Sequence, residues 1–219
     1  MKMQTYIGEF TIRDDFDREV VMEVVERDEY RRWGDITINE GDTVLDLGAH
    51  IGSFSRLAGS LGARVIAVEP CPANMKLLKA NTKGLDVTAL QYAINESITS
   101  HLLVDSKRNE MHKLVALPQD HTIKVMCITL DRLICAFGNP DIDLLKMDIE
   151  GSEYEALYGA GQLRRVKQIT MEWHYGAVRM SELIVYLDKL GFRVVWLGGN
   201  GSWGHLQLKR EESECHKTK

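Results

Sequence analysis

Cysteine is scarce in this chain. There are four, Cys71, Cys127, Cys135 and Cys215; no two form a C-x-x-C pair, and none joins histidines at zinc-ligand spacing. A disulfide framework and a structural zinc site are therefore not expected, and reduced thiols in a cytoplasmic protein are. No run of about 18 apolar residues exists, so no membrane span is expected. The first residues, Met1 to Tyr6, hold no apolar stretch of the kind a secretory leader needs. Internal repeats and low-complexity linkers are missing too. So is a basic excess: 27 Lys and Arg stand against 32 Asp and Glu, a net charge of −5, which argues against a nucleic-acid partner because phosphate binding needs a basic surface. What is there is ordinary for a soluble globular protein. A length of 219 residues, 44% hydrophobic and 27% charged, suits one domain with an appended arm.

Residues 1–38 read as that arm. Thr5–Ile12 partly alternates, Asp14-Asp15 marks a turn, Val20–Val25 is β-branched, and the charged stretch Glu26–Trp33 suggests a short helix. From residue 39 to 210 strands and helices alternate. Strands are expected over Val44–Leu47, Val65–Val68, Val87–Ala93, Thr99–Val104, Ile123–Ile128, Ile142–Met147, Gln168–Trp173, Phe192–Leu197 and Gly204–Leu208. Helices are expected over Ser53–Leu61, Pro72–Asn81, Leu130–Ala136, Ser152–Tyr158 and Met180–Leu190. Such alternation means parallel βαβ units, an α/β doubly wound sheet covered on both faces. The two last strands flank a Gly-rich turn and read as a hairpin giving an antiparallel edge. Residues 211–219 are polar and read as a disordered tail.

In sheets of this kind ligands bind beyond the carboxyl ends of the strands. The first strand runs into Asp46-Leu47-Gly48-Ala49-His50-Ile51-Gly52-Ser53-Phe54. Gly48 permits a tight turn and close approach of a ligand to the backbone, and Gly52 permits close packing where the helix begins. The spacing is G-x-x-x-G, not the G-x-G-x-x-G that aims a helix at a pyrophosphate. A nucleoside ligand without phosphate, such as S-adenosylmethionine (SAM), needs only the less glycine-rich turn. Asp46 could orient the cationic amino group of its methionine end. Glu69 ends the second strand about 20 residues after Gly48, the place where a carboxylate grips ribose hydroxyls.

A second constellation ends two later strands. Asp148, Glu150, Gly151 and Glu153 follow the Ile142–Met147 strand, and Glu172 and His174 share one side of the next. Adjacent parallel strands would gather Asp148, Glu150, Glu172 and His174 at one mouth near the glycine turn. Methyl transfer from a sulfonium is an in-line displacement for which positioning supplies much of the acceleration, and a hydroxyl acceptor benefits from a base or metal that removes its proton. Asp148, Glu172 and His174 are the candidate catalytic residues, and the same three are the set that would hold a divalent metal. The bland alternatives are that Lys146 pairs with Glu172 or Glu150, that Glu153 and Glu155 are helix N-terminal charges, and that His174 is a satisfied strand-end histidine.

The blocks VLDLGAHIGSF, VIAVEPCPANMKLLKAN, ITLDRL, IDLLKMDIEGSEYEALYGA and ITMEWH, in this order, resemble the FkbM family of methyltransferases over roughly residues 40–195. The Lys146-x-Asp148-x-Glu150-Gly151-x-Glu153 string is the most specific part, and Ile12-Arg13 with Asp17 in the arm looks like the family's lead-in. His50 stands where a smaller or polar residue such as Asn would be expected. The resemblance implies a Rossmann-like class I methyltransferase fold, a mostly parallel seven-stranded sheet with an antiparallel last strand preceded by a β-rich arm. It also implies SAM as donor and a hydroxyl on a natural product or sugar as acceptor. Carried over residue by residue, the cofactor set is Asp46, Gly48, Ala49, His50, Gly52, Ser53, Phe54, Glu69, Pro70, Ala93 and Asp148. Asp148 and Glu150 would face the transfer site.

Competing readings are an N-methyltransferase or one acting on a larger glycan, a nicotinamide-dependent oxidoreductase, and a non-catalytic SAM-binding module. The missing dinucleotide fingerprint weighs against the oxidoreductase. Acceptor choice is expected to reside in the arm and in the insertion near Asp105–Thr122. The arm could also pair with a second copy as a homodimer.

Overall fold

The computed structural model describes residues 1–98, 100–104, 114–115, 122–174 and 176–211. Most of the 105–122 insertion and the tail from 212 onward, with Cys215, lie outside the described residues. In chain order the elements are β1 (Lys2–Thr5), β2 (Gly8–Thr11), α1 (Asp15–Val21), β3 (Thr43–Leu47), α2 (Ser53–Ser60), β4 (Arg64–Val68), α3 (Pro72–Asn81), β5 (Val87–Leu90), β6 (Ala93–Ile94), β7 (Ser100–Val104), β8 (Leu114–Val115), β9 (Thr122–Ile128), α4 (Leu130–Ala136), β10 (Ile142–Met147), α5 (Glu153–Leu157), β11 (Val166–Trp173), α6 (Ala177–Lys189), β12 (Phe192–Gly199) and β13 (Gly204–Arg210). No helix among the described residues is long and apolar enough to cross a membrane.

Seven strands form the main sheet in the order β12-β13-β11-β10-β3-β4-β5. β11, β10, β3, β4 and β5 pair in parallel, and β13 runs antiparallel to both of its neighbours. The α/β class and the antiparallel last strand are as expected, but the hairpin does not leave that strand at the edge. β13 inserts between β11 and β12, so β12 is the edge. The strand expected over Val87–Ala93 is also divided: after Leu90 the chain leaves the main sheet, and β6 pairs with β9 in a four-stranded sheet, β6-β9-β7-β8.

Parallel strands are covered on both faces, and here they read as near-continuous apolar runs. One face carries Leu45, Leu47, Leu145, Met147, Ile169 and Met171 against α4, α5 and α6. The opposite face carries Val44, Val65, Ala67 and Leu144 against α2, α3 and the arm, whose Phe10, Ile12, Val21, Val24, Val25 and Tyr30 are all buried there. The arm corrects one expectation. Val20–Val25 is helical rather than extended: Asp14 caps α1 by accepting from the Asp17 N–H at 3.0 Å, and Val21, Val24 and Val25 recur at helical spacing on the buried side. The chain continues as one π-helical turn over Met22–Glu26. The helix expected over Glu26–Trp33 is instead a run of turns, bounded by Asp28 and Asp35 in the left-handed region at φ of 54° each.

On the arm-covered face a polar row crosses the middle of the sheet. Asp46 of β3, Lys146 of β10, Thr170 of β11 and Gln207 of β13 are register partners on four adjacent strands, and all four are buried. Buried polar groups must find partners. Tyr30 supplies two: its carbonyl accepts from Thr170 Oγ1 at 2.7 Å and from Gln207 Nε2 at 2.9 Å.

Candidate active site

The carboxyl ends of β3, β4, β10 and β11 converge on one mouth, and the turn after β3 forms its floor. Gly48 lies at φ +76°, and a Cβ there would stand 1.7 Å from the Asp148 carbonyl oxygen. The close approach that this glycine permits is therefore to the β10 backbone. Gly52, at φ +87°, would press a Cβ to 2.7 Å from Leu78 of α3, as expected for tight helix packing. Between them Gly48 and Ala49 donate their N–H groups to the Val68 carbonyl, tying the turn to the end of β4.

Asp46 is wholly buried at 0% exposure. Its Oδ2 accepts from Ser55 Oγ at 2.6 Å, and its Oδ1 lies 3.3 Å from Lys146 Nζ. Lys146 donates to the Gly48 carbonyl at 2.9 Å and sits under the Tyr30 ring. Burial alone would lower the Lys146 pKa, but the carboxylates of Asp46 and Asp148 hold it above its ordinary value. The expected pairing of Lys146 with Glu172 or Glu150 is thus replaced by one with Asp46. Ser53, at the first position of α2, is buried and its Oγ has no hydrogen-bond partner among the described residues.

Glu69 is buried at the end of β4 in a ring of donors. Its Oε2 accepts the His50 N–H at 2.9 Å, and its Oε1 accepts the Cys71 N–H at 2.8 Å and Asn74 Nδ2 at 3.2 Å. Burial outweighs these donors and pushes its carboxyl up to about 7. Pro70 carries the chain from Glu69 to Cys71, which is buried with Ala93 in a small apolar cluster. Phe54 is buried with its ring edge-on to Tyr30, centroids 5.6 Å apart.

The second constellation also assembles. Asp148 Oδ2 accepts the Tyr30 hydroxyl at 2.9 Å. His174 Nδ1 lies 3.2 Å from Glu153 Oε1, and its Nε2 lies 3.6 Å from both Glu150 and Glu172. Burial disfavours the imidazolium, yet the Glu153 hydrogen bond and the surrounding carboxylates hold the His174 pKa at about 10. Burial and the charge of Asp148 push Glu172 up to about 8 and Glu150 up to about 7. His174 is therefore held in its charged form at neutral pH, while Glu172 and Glu150 are raised into the neutral range. Ligand atoms close enough to share a cation come from Asp148, Glu150 and His174, within 4.8 Å of one another, so Glu150 takes the place given to Glu172 in the expected metal set. Glu153 is a charge in the first turn of α5, as expected, but not a solvated one. It is buried, and its Oε1 also accepts the N–H groups of Ile149 and Gly151 at 3.1 Å each, closing the turn that presents Asp148 and Glu150.

Two contributors escaped the sequence. Tyr30 stands alone in a charged stretch with no periodic signal. Arg13, singled out only within a short lead-in, reaches the cofactor turn: its guanidinium binds Asp17 through Nε at 2.9 Å and Nη2 at 2.7 Å, and Nη2 lies 3.2 Å from His50 Nε2.

The Methyltransferase FkbM domain model matches residues 46–194. A curated relative from Streptomyces tacrolimicus, 31-O-demethyl-FK506 methyltransferase FkbM, is 26% identical over 203 residues, covering 76% of this chain and 78% of the relative. Another from Haloferax volcanii, hexuronic acid methyltransferase AglP, is 31% identical over 142 residues, covering 63% of this chain and 58% of the relative. The structure of M. capricolum TrmK in complex with S-adenosyl-homocysteine shares the fold at a TM-score of 0.50 and 8% identity, covering 94% of this chain and 73% of that one.

Proposed function

Because the chain belongs to the FkbM family of methyltransferases, we propose that it transfers a methyl group from SAM to a hydroxyl of a small molecule, natural product or sugar. The observation that carries this reading is the placing of two kinds of carboxyl at one mouth. Glu69 closes the second strand beside the glycine turn, and Glu172 and Glu150 titrate near neutrality beyond β10 and β11.

The chain's residues fit the cofactor. Among the described residues, the buried Ser53 hydroxyl at the start of α2 has no hydrogen-bond partner, and Asp46 Oδ1 has none beyond its ion pair with Lys146. Glu69 would take the ribose hydroxyls, and the Gly48–Phe54 turn with Asp46 the methionine end. SAM, when bound, supplies a methyl group already activated as a sulfonium. The chain then has to orient an acceptor oxygen and take its proton. Glu172 and Glu150, with pKa values of about 8 and about 7, hold or accept a proton at physiological pH, whereas His174, at about 10, stays charged and fixes the carboxylates around it. The arm, residues 1–38, covers the acceptor side, with Tyr30 on Asp148 at the boundary. The relatives' names support this acceptor class, one acting on 31-O-demethyl-FK506 and the other on hexuronic acid.

The test is a methyl-labelled SAM assay against polyhydroxylated natural products and sugars, read by mass, with calorimetric titration of SAM and S-adenosylhomocysteine (SAH). An O-methylated product together with cofactor binding is expected. Transfer to nitrogen alone would replace the acceptor class, and absence of both SAM and SAH binding would end the reading.

A further inference from the structure

We propose that Arg13 is a positioning residue for the cofactor turn, acting through His50 to hold the N–H that Glu69 accepts. The proposal rests on the reading of Glu69 as the ribose carboxylate. His50 occupies the left-handed region at φ +49°, uncommon for a residue with a Cβ. In that conformation its N–H points at Glu69 Oε2, 2.9 Å away. Something must hold the imidazole, and Arg13 does. An arginine carries only donors, so the 3.2 Å contact is a hydrogen bond when His50 Nε2 accepts and the ring proton sits on Nδ1; Asp17 Oδ1 lies 3.6 Å from the same Nε2.

The guanidinium is itself fixed. Asp17, wholly buried, accepts from Arg13 Nε, from Nη2 and from the Arg13 main-chain N–H at 2.7 Å. These bonds overcome burial and hold the Asp17 pKa below its ordinary value. The fork is thus anchored on one side by a charge-assisted pair and leaves one Nη2 hydrogen for the imidazole. Phe16 closes the other side, its ring 5.9 Å from that of His50. A chain of contacts, Asp17 to Arg13 to His50 to Glu69, runs from the arm to the carboxylate at the end of β4.

Lysine can keep the ion pair with Asp17 but cannot serve two acceptors in the plane of a fork. Arg13→Lys is therefore the informative variant, with Arg13→Gln as a second should the first fail to fold. Each is made in the native background and in His50→Asn. Asparagine enters the left-handed region readily and has no ring nitrogen for Arg13 to hold. The readouts are SAH affinity by calorimetry, melting temperature, and the 15N shifts of the His50 imidazole. Arg13→Lys is expected to weaken SAH about tenfold, the worth of one hydrogen bond to a charged group, at little cost in melting temperature. It should also move the His50 signals away from the Nδ1–H tautomer. In the His50→Asn background the same change should alter SAH affinity by less than about twofold. Unchanged SAH affinity in Arg13→Lys, or an equal loss in both backgrounds, overturns the proposal. A native protein that binds no SAH overturns the cofactor reading instead, and unmoved imidazole signals overturn the Arg13–His50 link by themselves.

Discussion

The Tyr30 hydroxyl donates to Asp148 Oδ2 at 2.9 Å, joining the arm to the strand end that carries the acidic cluster. The same residue gives its carbonyl to Thr170 and Gln207 and its ring to Phe54, His205 and Lys146. Burial and Asp148 push its pKa well above the ordinary tyrosine value, so it remains a donor throughout the working pH range. Tyr30→Phe removes one buried hydrogen bond to a charged group and should cost about 1.5–3 kcal/mol in urea unfolding. Tyr30→Ala also empties the ring's site and should cost about 3–5 kcal/mol. A native unfolding midpoint in the alanine variant would mean that residues 27–36 do not lie on the sheet.

Asp46 and Lys146 are each other's charge partner inside the protein, with side chains 0% and 4% exposed. Asp46→Ala takes from the buried Lys146 its nearest carboxylate, leaving Asp148 and the Gly48 carbonyl, and should cost about 3–5 kcal/mol. Replacing both, as in Asp46→Leu with Lys146→Met, should recover most of that loss. Circular dichroism during urea unfolding checks both, and a double variant no more stable than Asp46→Ala would contradict the pairing. Loss of SAM binding in Asp46→Ala therefore has to be read beside its stability.

At the mouth, Asp148→Asn should leave SAH affinity within about threefold of the native value and lower turnover at least about tenfold, since its partners belong to the transfer side of the site. Glu172→Gln should remove the alkaline-shifted carboxyl from the pH–rate profile. Full turnover in both variants would take these residues out of the chemistry.

The acidic cluster also sets how stability follows pH. His174 has a folded pKa of about 10 against 6.5 unfolded, so its contribution is complete below pH 6.5 and is lost as pH rises through about 10. Glu172, Glu150 and Glu69, at about 8, 7 and 7 against 4.5, are also raised: the fold favours their protonated forms, and that contribution is complete below pH 4.5 and is lost as pH rises from there through 7 and 8. All four act in the same direction. The opposing acid limb comes from Asp17, whose lowered pKa contributes stability that disappears as pH falls through it. Ligand-free protein should therefore melt highest near pH 4–4.5, between the acid limb of Asp17 and the unfolded carboxyl pKa of 4.5, and progressively lower toward pH 9, by scanning calorimetry. A melting temperature that rises from pH 6 to 9 would show that the cluster is not arranged as described.

Much of the sheet was legible because its signals are local. β10 and the helices Pro72–Asn81 and Leu130–Ala136 coincide with the expected segments; the first is an apolar run, the second opens on a proline, and the structure adds a Thr129 cap to the third. The glycine turn and Glu69 were legible for the same reason, since spacing along one βα unit fixes their relation in space. What did not show was whatever depends on a partner far along the chain. Val20–Val25 has β-branched composition but helical spacing, and the cap at Asp14 decided the outcome. The roles of Tyr30 and Arg13 reside in contacts 118 and 37 residues away. The charge on His174 depends on Glu153, a first-turn carboxylate of α5 whose side chain folds back under the preceding turn.

The polar row Asp46–Lys146–Thr170–Gln207 has a consequence for assembly of the sheet. A strand displaced by one residue exchanges its two faces, which for an all-apolar parallel strand costs little. Here any such slip of β3, β10, β11 or β13 would drive a charged, hydroxyl or amide side chain into the apolar face lined by Leu45, Leu145 and Ile169 and leave its former partners unmatched. Four polar side chains in the middle of the sheet therefore act as an alignment key, and the mouth above them inherits its geometry from that single permitted pairing.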